Sequence, residues 1–165
     1  MNLLTLREGL GGHERHDDSA AATKNMAKLL GAHRRVLLVL DRTDDLDTAL
    51  PAFVAGAHGA ARDVVVLVVL PEWSTSRLEA RTKAHLKRIA GEVTSPTIRV
   101  SAELALGEPV ATVLETAARC RADLIAMTVH HVGIFERLLD HSLLEEVLRR
   151  SPVPVVAVTA AGKAC

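Results

Sequence analysis

The sequence predicts an α/β protein whose core is a doubly wound, five-stranded parallel sheet flanked by helices. Three observations carry that prediction. Five short apolar runs rich in β-branched residues recur along the chain, stretches of helical period separate them, and three of the runs are continuously apolar rather than alternating. Strands covered on both faces require continuous runs, and β-to-α connections repeated in series close through right-handed crossovers into a parallel sheet.

The elements follow in order. The first run, Arg35 to Leu40, is apolar from Val36 onward. After it, Leu46, Ala49, Leu50, Phe53, Val54 and Ala57 form one stripe at a 3.6-residue period. Pro51 lacks the N–H that an interior helix position donates, so this helix is expected to begin near Thr48 with Pro51 in its first turn. The second run, Val64 to Leu70, is again continuous, and a helix carrying Leu78, Leu86, Ile89 and Val93 follows it. The third run, Thr97 to Leu104, sets Ile98, Val100 and Ala102 against Arg99, Ser101 and Glu103, an alternation that predicts an edge strand. The third helix starts at Gly107-Glu-Pro109, with Pro109 at its first position and Val110, Val113, Leu114 and Ala117 on one face. A fourth run, Asp123 to Thr128, leads to a helix with Leu139, Leu143 and Val147 inward and Glu145/Arg149 and Glu146/Arg150 spaced for ion pairs. That helix stops at Ser151-Pro152, and the last run is Pro154 to Val158.

Residues 1–33 stand outside this alternation. Leu3, Leu4, Leu6 and Leu10 lead, Gly9, Gly11 and Gly12 interrupt, and Asp18 or Ser19 is placed to cap a short helix over Ala20 to Leu30. The expected organisation is an N-terminal extension, partly helical or flexible, over 1–33, an α/β domain over 34–160 and a tail over 161–165.

Composition excludes several classes of function. The 165 residues balance 20 Lys+Arg against 20 Asp+Glu and are 2% aromatic, with Phe53, Trp73 and Phe135 the whole aromatic set. A nucleic-acid binder needs a basic surplus and stacking surfaces, so no nucleic-acid partner is expected. No apolar run approaches the roughly 18 residues that cross a bilayer, so membrane insertion is not expected either. The leucine-rich start has neither a basic n-region nor a cleavage site, and Cys120 and Cys165 make no CxxC pair, which together predict a reducing, cytoplasmic location.

Catalytic signatures are absent: there is no Walker-type phosphate loop, no GxGxxG after a strand, no GxSxG elbow and no HExxH. Gly9-Leu-Gly-Gly12 follows no predicted strand and reads as a hinge. An enzyme would therefore have no nucleophile-and-base pair to start from. Doubly wound sheets take ligands beyond the carboxyl ends of their strands, which points to Asp41–Asp45 after the first strand and Thr128–Ser142 after the fourth.

Several segments together resemble one known family. They are the strand ending at Asp41, the strand ending Val68-Val-Leu-Pro71, Gly107-Glu-Pro109, Ala122-Asp-Leu-Ile-Ala-Met127, and Arg137-Leu-Leu-Asp-His-Ser142 through to Val155. Over residues 34–160, in this order, the chain resembles a universal stress protein. The resemblance implies a Rossmann-like sheet of strand order 3-2-1-4-5 and a homodimer formed through the last strand, Pro154 to Val158. Edge-strand physics agrees, because an open apolar edge needs a partner.

In nucleotide-binding members of that family, the acidic residue after the first strand contacts adenine, and a loop of pattern G-x2-G-x9-G-S/T wraps the phosphates. Asp41 matches the first element. The loop falls on Thr128, His131, His141 and Ser142, so only the final hydroxyl residue is kept and all three glycines are replaced. Glycine lets backbone N–H groups approach phosphate and adopts positive φ, whereas Thr and His insert side chains into that space. Gly133 alone does not restore three glycines. The resemblance therefore implies the branch that does not bind ATP in the usual manner, with no cofactor and no metal centre assigned.

Each candidate residue has two readings. Asp41 is either a ligand contact or a cap for the following turn, and Ser142 either a phosphate contact or a helix cap. His130, His131 and His141, with Asp140 nearby, either converge as an anion or metal site or stand as solvated loop histidines. His85 reads as a packed, hydrogen-bonded residue, and His13 and His16 with Glu14, Asp17 and Asp18 as a solvated linker cluster. The function expected is a cytoplasmic stress-response or signalling module without catalytic turnover, acting through an unidentified protein partner. The alternatives are an ATP-binding member with slow turnover using Asp41, Thr128 and Ser142, and a regulatory subunit that docks on a transporter or kinase through residues 1–33.

Overall fold

Each apolar run forms a strand. β1 (Arg35–Leu40), β2 (Asp63–Leu70), β3 (Arg99–Leu106), β4 (Leu124–Val129) and β5 (Val155–Thr159) pair in parallel as one sheet of order β3-β2-β1-β4-β5. Between them run α1 (Ala49–Gly56), α2 (Ser76–Val93), α3 (Pro109–Cys120) and α4 (Arg137–Arg150). The computed structural model describes residues 28, 30–40, 46–57, 63–129 and 137–159, with 129, 137–142 and 159 described as backbone only.

The sheet divides its side chains between two helical layers, as strand alternation requires. Val36, Leu38 and Leu40 of β1 join Val64, Val66 and Val68 of β2 against α1 and α2. Leu37 and Val39 join Val65, Leu67, Ile125 and Met127 against α3 and α4. Every residue from Val36 to Leu40 is at most 3% exposed, which is the reason for the unbroken run. β3 lies at an edge as its alternation predicts, although Ala102, expected on the covered side, is exposed there.

Helix boundaries follow local chemistry. Thr48 precedes α1, so Pro51 occupies the first turn, and Leu50, Phe53 and Val54 are buried as the stripe predicts. Thr75 caps α2 by accepting the Leu78 N–H at 3.3 Å. The Glu108 carboxylate caps α3, accepting from the Val110 and Ala111 N–H groups at 3.0 and 2.7 Å, with Pro109 at the first position. A negative charge there also meets the positive end of the helix dipole. Gly107, just before this cap, holds φ +138, a conformation that L side chains rarely adopt.

Four expectations are adjusted. β4 and β5 each begin one residue later than the apolar runs, because Asp123 uses its side chain outside the strand and Pro154 has no N–H to donate. β3 begins at Arg99 because Thr97 is held in a turn with Ser95, whose hydroxyl accepts the Ile98 N–H at 3.2 Å. Leu78, expected on the inner stripe of α2, is 42% exposed, since the first turn of α2 starts beyond the end of β2. Arg149 pairs with Glu146 rather than Glu145, while the Glu146/Arg150 pair forms at 3.7 Å.

Of residues 1–33, Lys28 and Leu30 are helical, and Leu30 is wholly buried in the α1/α2 layer. The rest of the short helix read over Ala20 to Leu30 lies outside the described residues.

Candidate functional site

A parallel sheet opens a crevice where connections leave in opposite directions from adjacent strands. In the order β3-β2-β1-β4-β5 that point lies between β1 and β4, which pair from Val36↔Leu124 to Val39↔Met127. Leu40 and Thr128 stand at its mouth. Leu40 is 2% exposed and Thr128 is 5% exposed, and the Thr128 hydroxyl donates to the Val39 carbonyl at 3.4 Å. A side chain thus ties β1 to β4 at the seam, in addition to the strand ladder.

The other residues read from sequence are distributed differently. Asp41 and His131 lie outside the described residues, as do His130, Gly133, His13, His16, Glu14, Asp17 and Asp18. His141 and Ser142 are the fifth and sixth residues of α4, described as backbone only, with Asp140 just before them. Because α4 begins at Arg137, Ser142 is inside a helix and is not the residue that caps it. The described part of the site therefore comprises Thr128 and the strand ends around it.

Two carboxylates tie neighbouring elements together around the seam, and sequence reading missed both. On the carboxyl side, Asp47 lies shortly after the Asp41–Asp45 segment and is held by α2. His85 Nε2 is 3.1 Å from its carboxylate and the Arg88 guanidinium 3.4 Å. His85 is thus the hydrogen-bonded residue expected of it. On the amino side, Asp123 reaches across the same seam and accepts from the Arg34 and Arg35 N–H groups at 2.8 and 3.1 Å, with His33 Nδ1 at 3.7 Å. An Asp directly before an apolar run was the available signal, since a short carboxylate readily takes up backbone N–H groups.

At the amino ends of β1, β2 and β3 a cavity of about 180 Å³ is lined by Arg35, Asp63, Val65, Arg99, Ser101 and Cys120. Its charges answer one another. Arg35 donates to Asp63 at 3.2 Å and to the Cys120 carbonyl at 2.8 Å, and Arg99 approaches Asp63 at 3.5 Å. Burial pushes the Cys120 thiol above its ordinary range, so it offers little thiolate at neutral pH. Among the described residues no group of three or more His, Cys, Asp and Glu is placed to hold a metal ion, and no helix is long and apolar enough to cross a membrane.

Comparison with known proteins agrees with this geometry. The universal stress protein family matches residues 32–159. No curated protein matches the chain. A solved universal stress protein in complex with cAMP is 23% identical, with 78% of this chain and 98% of that one covered at a TM-score of 0.54. The universal stress protein UspA from Lactobacillus plantarum is 20% identical over 75% and 96% of the two chains, with a TM-score of 0.57. A universal stress protein from Archaeoglobus fulgidus in complex with dAMP is 18% identical over 75% and 95%, with a TM-score of 0.53. At these identities the solved structures share the fold with this chain.

Proposed function

The chain belongs to the universal stress protein family, and from that membership we propose that it is a non-enzymatic stress-response or signalling module of the cytoplasm. In this reading it does not bind ATP in the family's usual manner, and it acts as a homodimer toward a protein partner. The observation that carries the reading is Thr128, which stands where the nucleotide loop would place its first glycine. In this reading its buried side chain, bonded to the Val39 carbonyl, takes the place of the bare backbone that a glycine would offer to a phosphate. His131 and His141 stand at the positions of the other two glycines of the motif.

Thermal unfolding with and without nucleotide tests this. A ligand with a Kd of about 0.1 mM would stabilise the domain by about 2.7 kcal/mol at a hundredfold excess. We expect no shift in Tm with ATP and Mg²⁺ at millimolar concentration, nor with cAMP or dAMP. A clear shift would favour the second reading, a nucleotide-binding member using Asp41, Thr128 and Ser142, which the cAMP and dAMP complexes of two relatives make concrete.

The homodimer rests on β5, an edge strand whose Val155, Val156 and Val158 are buried within the domain. The Pro154 carbonyl accepts the Ile125 N–H, so by strand alternation the N–H of Ala157 points away from β4. Ala157→Pro should remove an outward donor while leaving the β4–β5 ladder in place. Sedimentation velocity is expected to show a dimer for the unsubstituted chain and a monomer for this variant.

A further inference from the structure

The cavity at the amino ends of β1, β2 and β3 lies at the opposite end of the sheet from Thr128, and strand register accounts for its lining. Arg35, Asp63 and Arg99 form one row across the three strands, since Arg35 pairs with Asp63 and Asp63 with Arg99. Two residues along, on the same face, Val65 pairs with Ser101. α3 packs over β1 and β2 through Val113 and Ala117 and leaves this part of β3 open, so Arg99 and Ser101 are exposed. Cys120, the last residue of α3, supplies the wall on that side. Two residues beyond Ser101, Glu103 pairs with Arg119 and joins β3 to α3.

The charges lining this cavity answer one another unequally. Both guanidiniums lie against the single carboxylate of Asp63, Arg35 at 3.2 Å and Arg99 at 3.5 Å, which leaves one positive charge in surplus. The negative end of α3 does not absorb it, because the Cys120 carbonyl there already accepts from Arg35 at 2.8 Å. Arg35 has thus engaged two of its N–H groups and keeps the others, and Arg99 has a carboxylate no nearer than 3.5 Å. Among the described residues the Ser101 hydroxyl has no hydrogen-bond partner. Donors in excess of acceptors, with a surplus positive charge, are the chemistry of an oxyanion site. Two planar guanidiniums and a hydroxyl suit the three terminal oxygens of a phosphate better than the two of a carboxylate. A volume of about 180 Å³ is below the roughly 300–1,000 Å³ of pockets that enclose drug-sized ligands, so the phosphate belongs to a small molecule.

We propose that this cavity binds the phosphate group of a small anion between Arg35 and Arg99, with the Ser101 hydroxyl as third donor and Asp63 fixing both guanidiniums from the strand between them. Cys120 lines the cavity and reports on its occupancy. The probes are inorganic phosphate and glycerol phosphate, applied to the full chain carrying Cys165→Ser so that Cys120 is its only thiol. Alkylation by iodoacetamide is followed at mildly alkaline pH, because burial holds this thiol above its ordinary range. It should slow several-fold and saturably at millimolar probe, with Tm rising in parallel. The probe that saturates at the lower concentration tells a free phosphate from a monoester, and either supports the proposal. Acetate and chloride at matched ionic strength should give no protection. Arg99→Gln, at a side chain 80% exposed and therefore tolerated by the fold, should abolish protection with unchanged far-UV circular dichroism. Arg149→Gln, on α4, should keep it. Alkylation that neither probe slows, protection equalled by acetate or chloride, or protection that Arg99→Gln leaves intact overturns the proposal. Arg99 is on β3, away from the seam between β1 and β4, so this outcome is independent of whether a nucleotide binds there.

Discussion

Leu38→Ala is expected to lower the free energy of unfolding by about 3–5 kcal/mol. Leu38 is fully buried at the centre of β1, with Val66 and Ala126 beside it in register and the α1/α2 layer above. Strands fixed by ladders on both sides cannot close over a lost isobutyl group, so the change combines lost transfer energy with a retained cavity. A domain of this size holds roughly 5–15 kcal/mol in all, so the substitution removes a large share. Urea titration should show a lower midpoint at unchanged slope. Leu78→Ala is the control: at an exposed position it should shift stability by no more than about 0.5 kcal/mol. Equal effects at both sites would contradict the burial described for β1.

The second large effect is expected at Asp123. Its carboxylate accepts two backbone N–H groups from the start of β1, and hydrogen bonds to a charged group contribute about 1.5–3 kcal/mol, more than neutral ones. Asp123→Ala should therefore destabilise by about 2–3 kcal/mol, read by the same titration. Asp123→Asn keeps one carbonyl acceptor and should retain about half of the difference. If alanine and asparagine are equally mild, solvent rather than the carboxylate satisfies the Arg34 and Arg35 amides.

These two residues also mark what could be read from sequence. Leu38 belongs to an unbroken apolar run, and period and continuity are sufficient to place such a residue in a two-sided core. The strand order was available only through family resemblance, because runs and stripes say nothing about which strands are neighbours. Asp123 was legible as part of a motif, yet its role was not, since it depends on Arg34 lying across the sheet. Asp47 escaped notice for the same reason: its partners His85 and Arg88 are on another helix. Of the residues proposed for the site, Thr128 could be placed because it ends a strand, and its bond to Val39 was invisible in one dimension. Leu78 misled the helical reading because periodicity carries no information about where a helix outruns the sheet beneath it.

The seam between β1 and β4 has a further consequence in chain separation. At the start of β1, Arg35 meets Asp63 of β2 across 28 positions but Asp123, at the head of β4, across 88. Closing the longer loop costs about 1 kcal/mol more in entropy, and every other strand pairing joins consecutive strands. The sheet is thus two locally zipped leaves, β3-β2-β1 and β4-β5, sewn along one distant suture. Thr128 and Asp123 are the stitches at its two ends, and the place where this fold receives ligands is also the joint that closes across the longest stretch of chain.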